Sequence, residues 1–488
     1  MRNSPNLRVR RFVRLRVGLL AMLILAAQSV FSPAVAGPAE IGEWSAPFNI
    51  NVKGIHSQVL PTGKVLLFSY PRIGQVGTSA WMWDPSTGVS TNVTQSYPRD
   101  AFCSGQNLLP DGRVFATGGH LPGPNHEDAA GVYETDIFDP TTQSWSSGPS
   151  LTEARWYPSN LELGNGRVLI FSGQEDKATH TPTVDSYNPA TNTITQLPET
   201  ATKWIQLYPH LDLLPSGKVF LSGPQRGTQL FNPDTNTWSW VGNMQFGGRS
   251  NGNSVLLPGL NKVLALGGNN ATAGVTSTAE IIDLSVSRPQ WRFTASMNFA
   301  RRHPNTVLLP NGTVLVVGGG TSGLYGSPVM NAELFDPVTE TWSLMASQTA
   351  PRIYHSTAVL LPDGRVLSAG MDSGTYQFTA ELYSPPYLFG GSRPIIASAP
   401  LTVGYGAPFE IVTPDASDIT RVALIKPGGN THSISMDQRY VDLSFTPGPE
   451  AVTATAPPNG NYAPPGWYML FILNSSGIPS VASWVHVG

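Results

Sequence analysis

With a single cysteine, Cys103, in 488 residues, no internal disulfide can form. Charge is scarce as well. Lys, Arg, Asp and Glu make up 12% of the chain and the formal net charge is −3, which excludes a basic surface for nucleic acid and the charge-laced long helix. The apolar run Val17 to Ala27 falls short of the roughly 20 residues that span a bilayer, so no membrane partner is implied. No glycine-rich phosphate fingerprint opens a helix, and neither a nicotinamide nor a flavin is called for.

What is abundant points to a turn-rich β protein. The chain has 49 Gly and 43 Pro beside 40% hydrophobic residues and 12 Trp, a composition that excludes disorder and supports a large core. Residues 1–36 read as a secretory leader, with Arg2, Arg8, Arg10, Arg11, Arg14 and Arg16 ahead of the apolar run and Ala34-Val35-Ala36 as the cleavage site. Removing it takes the charge to −9 and implies a secreted or periplasmic protein. In that setting a lone cysteine has two readings, a small buried hydrophobe or a covalent or metal-site role.

One phrase recurs seven times: LPTGKVLLFSY from Leu60, LPDGRVFATGG from Leu109, LGNGRVLIFSG from Leu163, then copies from Leu214, Leu257, Leu309 and Leu361. A second phrase follows each, as in IFDPTTQSW at Ile137 and LFDPVTETW at Leu334. The turn glycines Gly63, Gly112, Gly166 and Gly217 are 49, 54 and 51 residues apart, the kelch period. Each unit predicts one four-stranded blade, and the whole an all-β, seven-bladed kelch-type β-propeller over residues 37–392. The stretch from Gly37 to about Ile50 either closes the ring or precedes it. Over 393–488 the repeat stops and alternating apolar runs predict an immunoglobulin-like β-sandwich.

Equivalent positions of a propeller face one another across its channel. Nine residues before the turn stand Gly54, Cys103, Tyr157, Tyr208, His303 and His355, with Gly252 in the fifth copy if Asn261 is its turn residue. Taken singly, a Tyr or His here reads as packing. A shared register of Tyr, His and Cys, with Tyr354 alongside, instead predicts one site at the channel mouth. Imidazole and phenolate suit Cu(II), whereas Ca²⁺ or Mg²⁺ would need clustered carboxylates.

The stretches AFCSG at Ala101, ARWYPSN at Ala154, RIYHSTAVLLPDGRVLSAG at Arg352, THSISMDQR at Thr431 and GWYMLFILNSSGIPSVAS at Gly466 resemble the mononuclear copper-radical oxidases, the family of galactose oxidase and glyoxal oxidase. The resemblance implies one copper ion held by Tyr157, Tyr354, His355 and His432. It also implies a thioether joining Cys103 to Tyr157 as a radical cofactor, with Tyr354 as axial ligand and general base. His432 would have to reach the channel from the sandwich. Phe102 would form an aromatic wall, with Tyr208 and His303 around the site. The ring that stacks on the thioether in galactose oxidase falls, by ungapped counting, at Glu175, leaving His180 or another residue as a substitute. The sugar-binding arginine falls at Pro209, and LYPHLDLLPSG from Leu207 looks more like glyoxal oxidases. The implied enzyme is a monomer that oxidises a simple primary alcohol or small aldehyde with O2 and releases H2O2. Two rivals stand beside it: a non-catalytic propeller that binds carbohydrate, and a copper oxidoreductase that works without the radical.

Overall fold

The computed structural model describes residues 36–121 and 130–488, so all of the expected leader except Ala36 lies outside the described residues. Gly37–Gly488 forms one compact unit.

The repeated phrase is a hairpin for a local reason. Leu60 N–H bonds the Lys64 carbonyl and Gly63 N–H bonds the Leu60 carbonyl, closing a tight turn with Gly63 at φ 79°. Gly112, Gly166, Gly217, Gly312 and Gly364 repeat that left-handed turn. In the fifth copy Leu260 takes it, at φ 62° and with its N–H on the Leu257 carbonyl. Leu260, not Asn261, is therefore the turn residue there, and the position nine residues earlier is Asn251, not Gly252. In the second phrase an acid or Asn accepts from the backbone two residues on, as Asp139 does from Thr141 at 2.7 Å, which turns the chain between the outer strands.

Among the described residues, seven sheets of four or more strands follow one another ahead of the C-terminal segment, each built on an antiparallel meander. Their innermost strands are His56–Val59, Gly105–Leu108, Ser159–Glu162, His210–Leu213, Asn253–Leu256, Asn305–Leu308 and Ser356–Leu360. From the second to the seventh, successive innermost strands are neighbours, and Ser356–Leu360 lies beside His56–Val59. Gln106 of the second donates to the Ser57 carbonyl of the first at 2.9 Å, so the sheets close into a ring. The seventh takes its outer strands from the start of the unit: Glu43 and Trp44 pair with Ser384 and Tyr383, and Phe48 with Ala380. The N-terminal segment thus belongs to the closure.

Buried arginines fasten the entry of four sheets to the interior of the same sheet. Arg155, Arg249, Arg301 and Arg352 are each almost fully enclosed and face Asp185, Glu280, Glu333 and Glu381, at 3.1, 2.7, 2.6 and 3.7 Å. Each also donates to the carbonyl at the end of its sheet's second strand, as Arg301 does to Gly318 at 2.9 Å. Glycine pairs mark where the next arginine's backbone presses in. A Cβ at Gly118 would stand 2.2 Å from the Arg155 carbonyl oxygen, and one at Gly318 2.5 Å from that of Arg352.

The C-terminal residues form a five-stranded sheet centred on Gly466–Asn474 and a three-stranded sheet around Ala451–Thr455. Their apolar faces share a core with the ring: Val422, Leu424 and Tyr468 lie in one cluster with Leu214, Phe220 and Val263. One hairpin leaves this body. Gly429–Thr431 adds to the inner edge of the first sheet, pairing Thr431 with His56 and Asn430 with Ser57, and Ile434–Met436 returns beside it.

Replacing one member of a wholly buried ion pair strands the other. Arg301→Met is expected to destabilise the protein by about 3–5 kcal/mol, lowering the thermal unfolding midpoint measured by circular dichroism. Adding Glu333→Leu should recover part of that loss. An unchanged midpoint in the single variant would show that the pair does not stabilise the sixth sheet.

Candidate copper centre

Position nine is a backbone device before it is a chemical one. Cys103, Tyr157, Tyr208, Asn251, His303 and His355 all adopt left-handed φ, between 47° and 64°. Each turns the chain into the next innermost strand. Their peptides are tied from sheet to sheet: Tyr157 N–H bonds the Cys103 carbonyl at 3.0 Å, Tyr208 the Tyr157 carbonyl at 2.9 Å, and His303 the Asn251 carbonyl at 2.7 Å. Non-glycine residues in this region carry about 1 kcal/mol or more of strain, which is retained where the side chain has work to do.

His432 arrives differently. It and Ser433 form the two-residue tip of the inserted hairpin, at φ 47° and 67°, the geometry of a type I′ turn. The hairpin is fastened from several sheets. Asn253 donates to the Ser433 carbonyl at 2.6 Å, Leu308 N–H donates to Gln438 at 2.8 Å, and the Lys426 ammonium is paired with Glu162, both fully buried.

Tyr157, Tyr354, His355 and His432 meet at one place. The Tyr157 and Tyr354 hydroxyls are 2.5 Å apart. The His432 ring lies 4.4 Å from that of His355, 4.8 Å from Tyr157 and 5.6 Å from Tyr354. Cys103 Sγ is 3.5 Å from His432 Nε2, fully buried, and within hydrogen-bonding reach of the Tyr157 hydroxyl. Phe102 stands edge-on to His355 at 5.2 Å. His303 is buried with its ring 4.8 Å from Tyr354. Tyr208 stacks on Tyr157 at 4.4 Å and donates to the Ser104 carbonyl.

Glu175 does not take the stacking place. It is exposed, and its backbone is bonded to Gly131 and Thr179. The ring over Tyr157 is Trp156, 3.8 Å away and 12° from parallel, so it is supplied by the preceding residue rather than by a later strand. His180 instead packs against Trp204 at 5.2 Å. Three further residues escaped sequence reasoning. His56 accepts from Cys103 N–H at 3.2 Å, Asp372 accepts from His355 Nδ1 at 2.7 Å, and Thr431 meets His432 Nδ1 at 2.6 Å. The one available signal was the register, since His56 lies two residues beyond Gly54.

The donors suit copper. Burial pushes the His432 and His355 imidazoles down, and both remain neutral with a nitrogen lone pair available. His355 Nε2 is buried with no hydrogen-bond partner. The same burial pushes the Tyr157 and Tyr354 phenols up, so a nearby cation is what would draw out their protons. Two imidazoles and two phenols match Cu(II). Beside them opens a cavity of about 560 Å³, bordered by Tyr157, Tyr354, His432, His180, Trp204 and Gln174 among others.

Gly429 sits where the hairpin meets the second sheet, and a Cβ there would stand 2.5 Å from the Gln106 carbonyl oxygen. Gly429→Ala should displace His432 and weaken Cu(II) binding roughly 10–100-fold, the effect of losing a ligand's outer support. Competition with a chelator measures it; wild-type affinity would mean the hairpin does not set the ligand.

Comparison with known proteins identifies the family. The family model "Glyoxal oxidase N-terminus" matches residues 80–387, and "Galactose oxidase-like, Early set domain" matches residues 393–487. A galactose oxidase of Gibberella zeae is 29% identical over 92% of this chain and 71% of its own. The aldehyde oxidase GLOX of Vitis pseudoreticulata is 28% identical over 94% of this chain and 99% of its own. A solved fungal alcohol oxidase of the AA5 family, in complex with copper, superposes with a TM-score of 0.81 at 25% identity, over 92% of this chain and 100% of its own. The chain belongs to the mononuclear copper-radical oxidase family of galactose oxidase and glyoxal oxidase, and is a copper-dependent oxidase.

Proposed function

We propose that this protein oxidises a neutral primary alcohol, or a small aldehyde as its hydrate, with O2. An alcohol RCH2OH and O2 give RCHO and H2O2; a hydrate RCH(OH)2 and O2 give RCOOH and H2O2. The observation that carries the reading is the convergence of Tyr157, Tyr354, His355 and His432 beside the only thiol. Copper, when bound, supplies one oxidising equivalent and a Lewis-acidic position.

The second equivalent resides on Tyr157 and Cys103. Thioether formation removes one hydrogen from the Cys103 thiol and one from a Tyr157 ring carbon, and dioxygen takes both electrons. The sulfur's place next to the phenol oxygen supports this bond, and stacking on Trp156 and Tyr208 would spread the unpaired electron. Tyr354 accepts the substrate hydroxyl proton as general base, and the oxidised Tyr157 takes hydrogen from the neighbouring carbon. Tyr208 shapes this end of the cavity, and Phe102 and His303 pack behind it against His355 and Tyr354.

A neutral substrate fits the walls. Among the described residues the cavity border carries amides, such as Gln174, Gln206 and Asn251, but no Lys, Arg, Asp or Glu. Pro209, where the galactose oxidase arginine would fall, is buried, which disfavours galactose. We read the seven sheets as the blades of a kelch-type propeller spanning 37–392, and 393–488 as an immunoglobulin-like sandwich. We also read residues 1–36 as a secretory leader, the enzyme as extracytoplasmic, and the protein as a monomer without nucleic-acid or membrane partners.

Cys103→Ser should bind copper yet lose the visible and near-infrared radical absorption, with peroxide release falling by at least 10³-fold, the scale expected on removing a reactive group. Peroxide-coupled assay across primary alcohols, sugars and small aldehydes reads this out. Wild-type turnover in the variant overturns the radical mechanism, and copper-independent glycan binding without peroxide would favour an adhesive propeller.

A further inference from the structure

We propose that Asp372, braced by Tyr325, is the positioning residue that fixes the ring and tautomer of His355 toward the metal. The inference rests on His355 being a copper ligand. His355 and Asp372 flank an antiparallel pair, with Ser356 opposite Gly370, so the two side chains leave the same end of the seventh sheet. The backbone there is closely constrained. Met371 N–H bonds the His355 carbonyl at 3.1 Å, and a Cβ on Gly370 would stand 2.3 Å from the Gly54 carbonyl oxygen. Met371 itself is held at φ 115°, a value that a side chain tolerates only where its surroundings impose it.

Both carboxylate oxygens of Asp372 are engaged. Oδ2 accepts from His355 Nδ1 at 2.7 Å, and Oδ1 accepts from the Tyr325 hydroxyl at 2.5 Å. An ionised carboxylate can only accept, so the imidazole proton must sit on Nδ1, and Nε2, buried and without a protein partner, presents its lone pair. The brace comes from another sheet. Tyr325 lies at the tip of the small hairpin Gly320–Ser322 and Gly326–Pro328, outside the sixth sheet, and its ring is 5.9 Å from that of Tyr354. One exposed loop therefore reaches the centre at two points, through Asp372 to His355 and directly onto Tyr354.

The test compares the full chain with Asp372→Asn, Asp372→Glu, Tyr325→Phe and His355→Ala, reading Cu(II) affinity by chelator competition and the electron paramagnetic resonance spectrum. Asp372→Asn, which is isosteric but able to donate, should bind Cu(II) roughly 10–100-fold more weakly with altered nitrogen hyperfine structure. Asp372→Glu should recover part of the affinity, and Tyr325→Phe should shift both readouts in the same direction by less. Wild-type affinity and spectrum in Asp372→Asn overturn the inference. If that variant does not fold, unchanged readouts in Tyr325→Phe overturn it. If His355→Ala itself binds Cu(II) as the wild type does, the ligand reading fails instead.

Discussion

The addition of Gly429–Thr431 to the inner edge of the first sheet is the constraint on which the centre depends. An innermost strand presents a row of unpaired N–H and C=O groups toward the middle of the ring. The inserted strand satisfies those of His56 and Ser57 through main-chain bonds, which are insensitive to side chain and set register absolutely. With Thr431 opposite His56, the next residue must begin the turn, and that residue is His432. A register shift of one would point its imidazole the other way. The asparagine, glutamine and lysine contacts around the hairpin reinforce a position that backbone pairing has already defined.

A repeated backbone requirement was used for unrepeated chemistry. Each sheet needs one residue to turn into its innermost strand, and five of the six left-handed positions there carry Cys, Tyr or His where glycine or asparagine would be easier. Preceding arginines make this tolerable at Tyr157, Asn251, His303 and His355. Buried, paired with an acid and bonded to a strand-end carbonyl, they hold the approach to the turn so tightly that its strained conformation persists. Scaffold and site are linked at those positions, Arg155 standing two before Tyr157 and Arg301 two before His303, whereas Cys103 and Tyr208 follow no such arginine.

Burial gives the centre its electrostatic character. In so dry a place charged forms are disfavoured, which leaves imidazoles neutral, phenols protonated and the Cys103 thiol pushed up. A divalent cation would reverse the balance for the phenols alone, because they gain charge opposite to its own. The aromatic surroundings serve the same end. Trp156, Tyr208 and Phe102 exclude water around Tyr157 and the two imidazoles while leaving one side open to the cavity.

The repeats, their turn glycines and the shared register of Cys103, Tyr157, Tyr208, His303 and His355 were legible in the chain because they are local: a tight turn and a strand period constrain residues a few positions apart. The same reasoning misplaced the fifth copy, where Leu260 occupies a left-handed turn that sequence alone assigns to Gly or Asn. It also sought the stacking ring near Glu175, because spacing cannot reveal that Trp156 folds back over its own neighbour. That Phe48 pairs with Ala380, that Thr431 pairs with His56, and that Asp372 meets both His355 and Tyr325 were decided only by tertiary structure. Those contacts join segments with no shared local pattern, and only closure of the ring brings their hydrogen-bonding edges within reach.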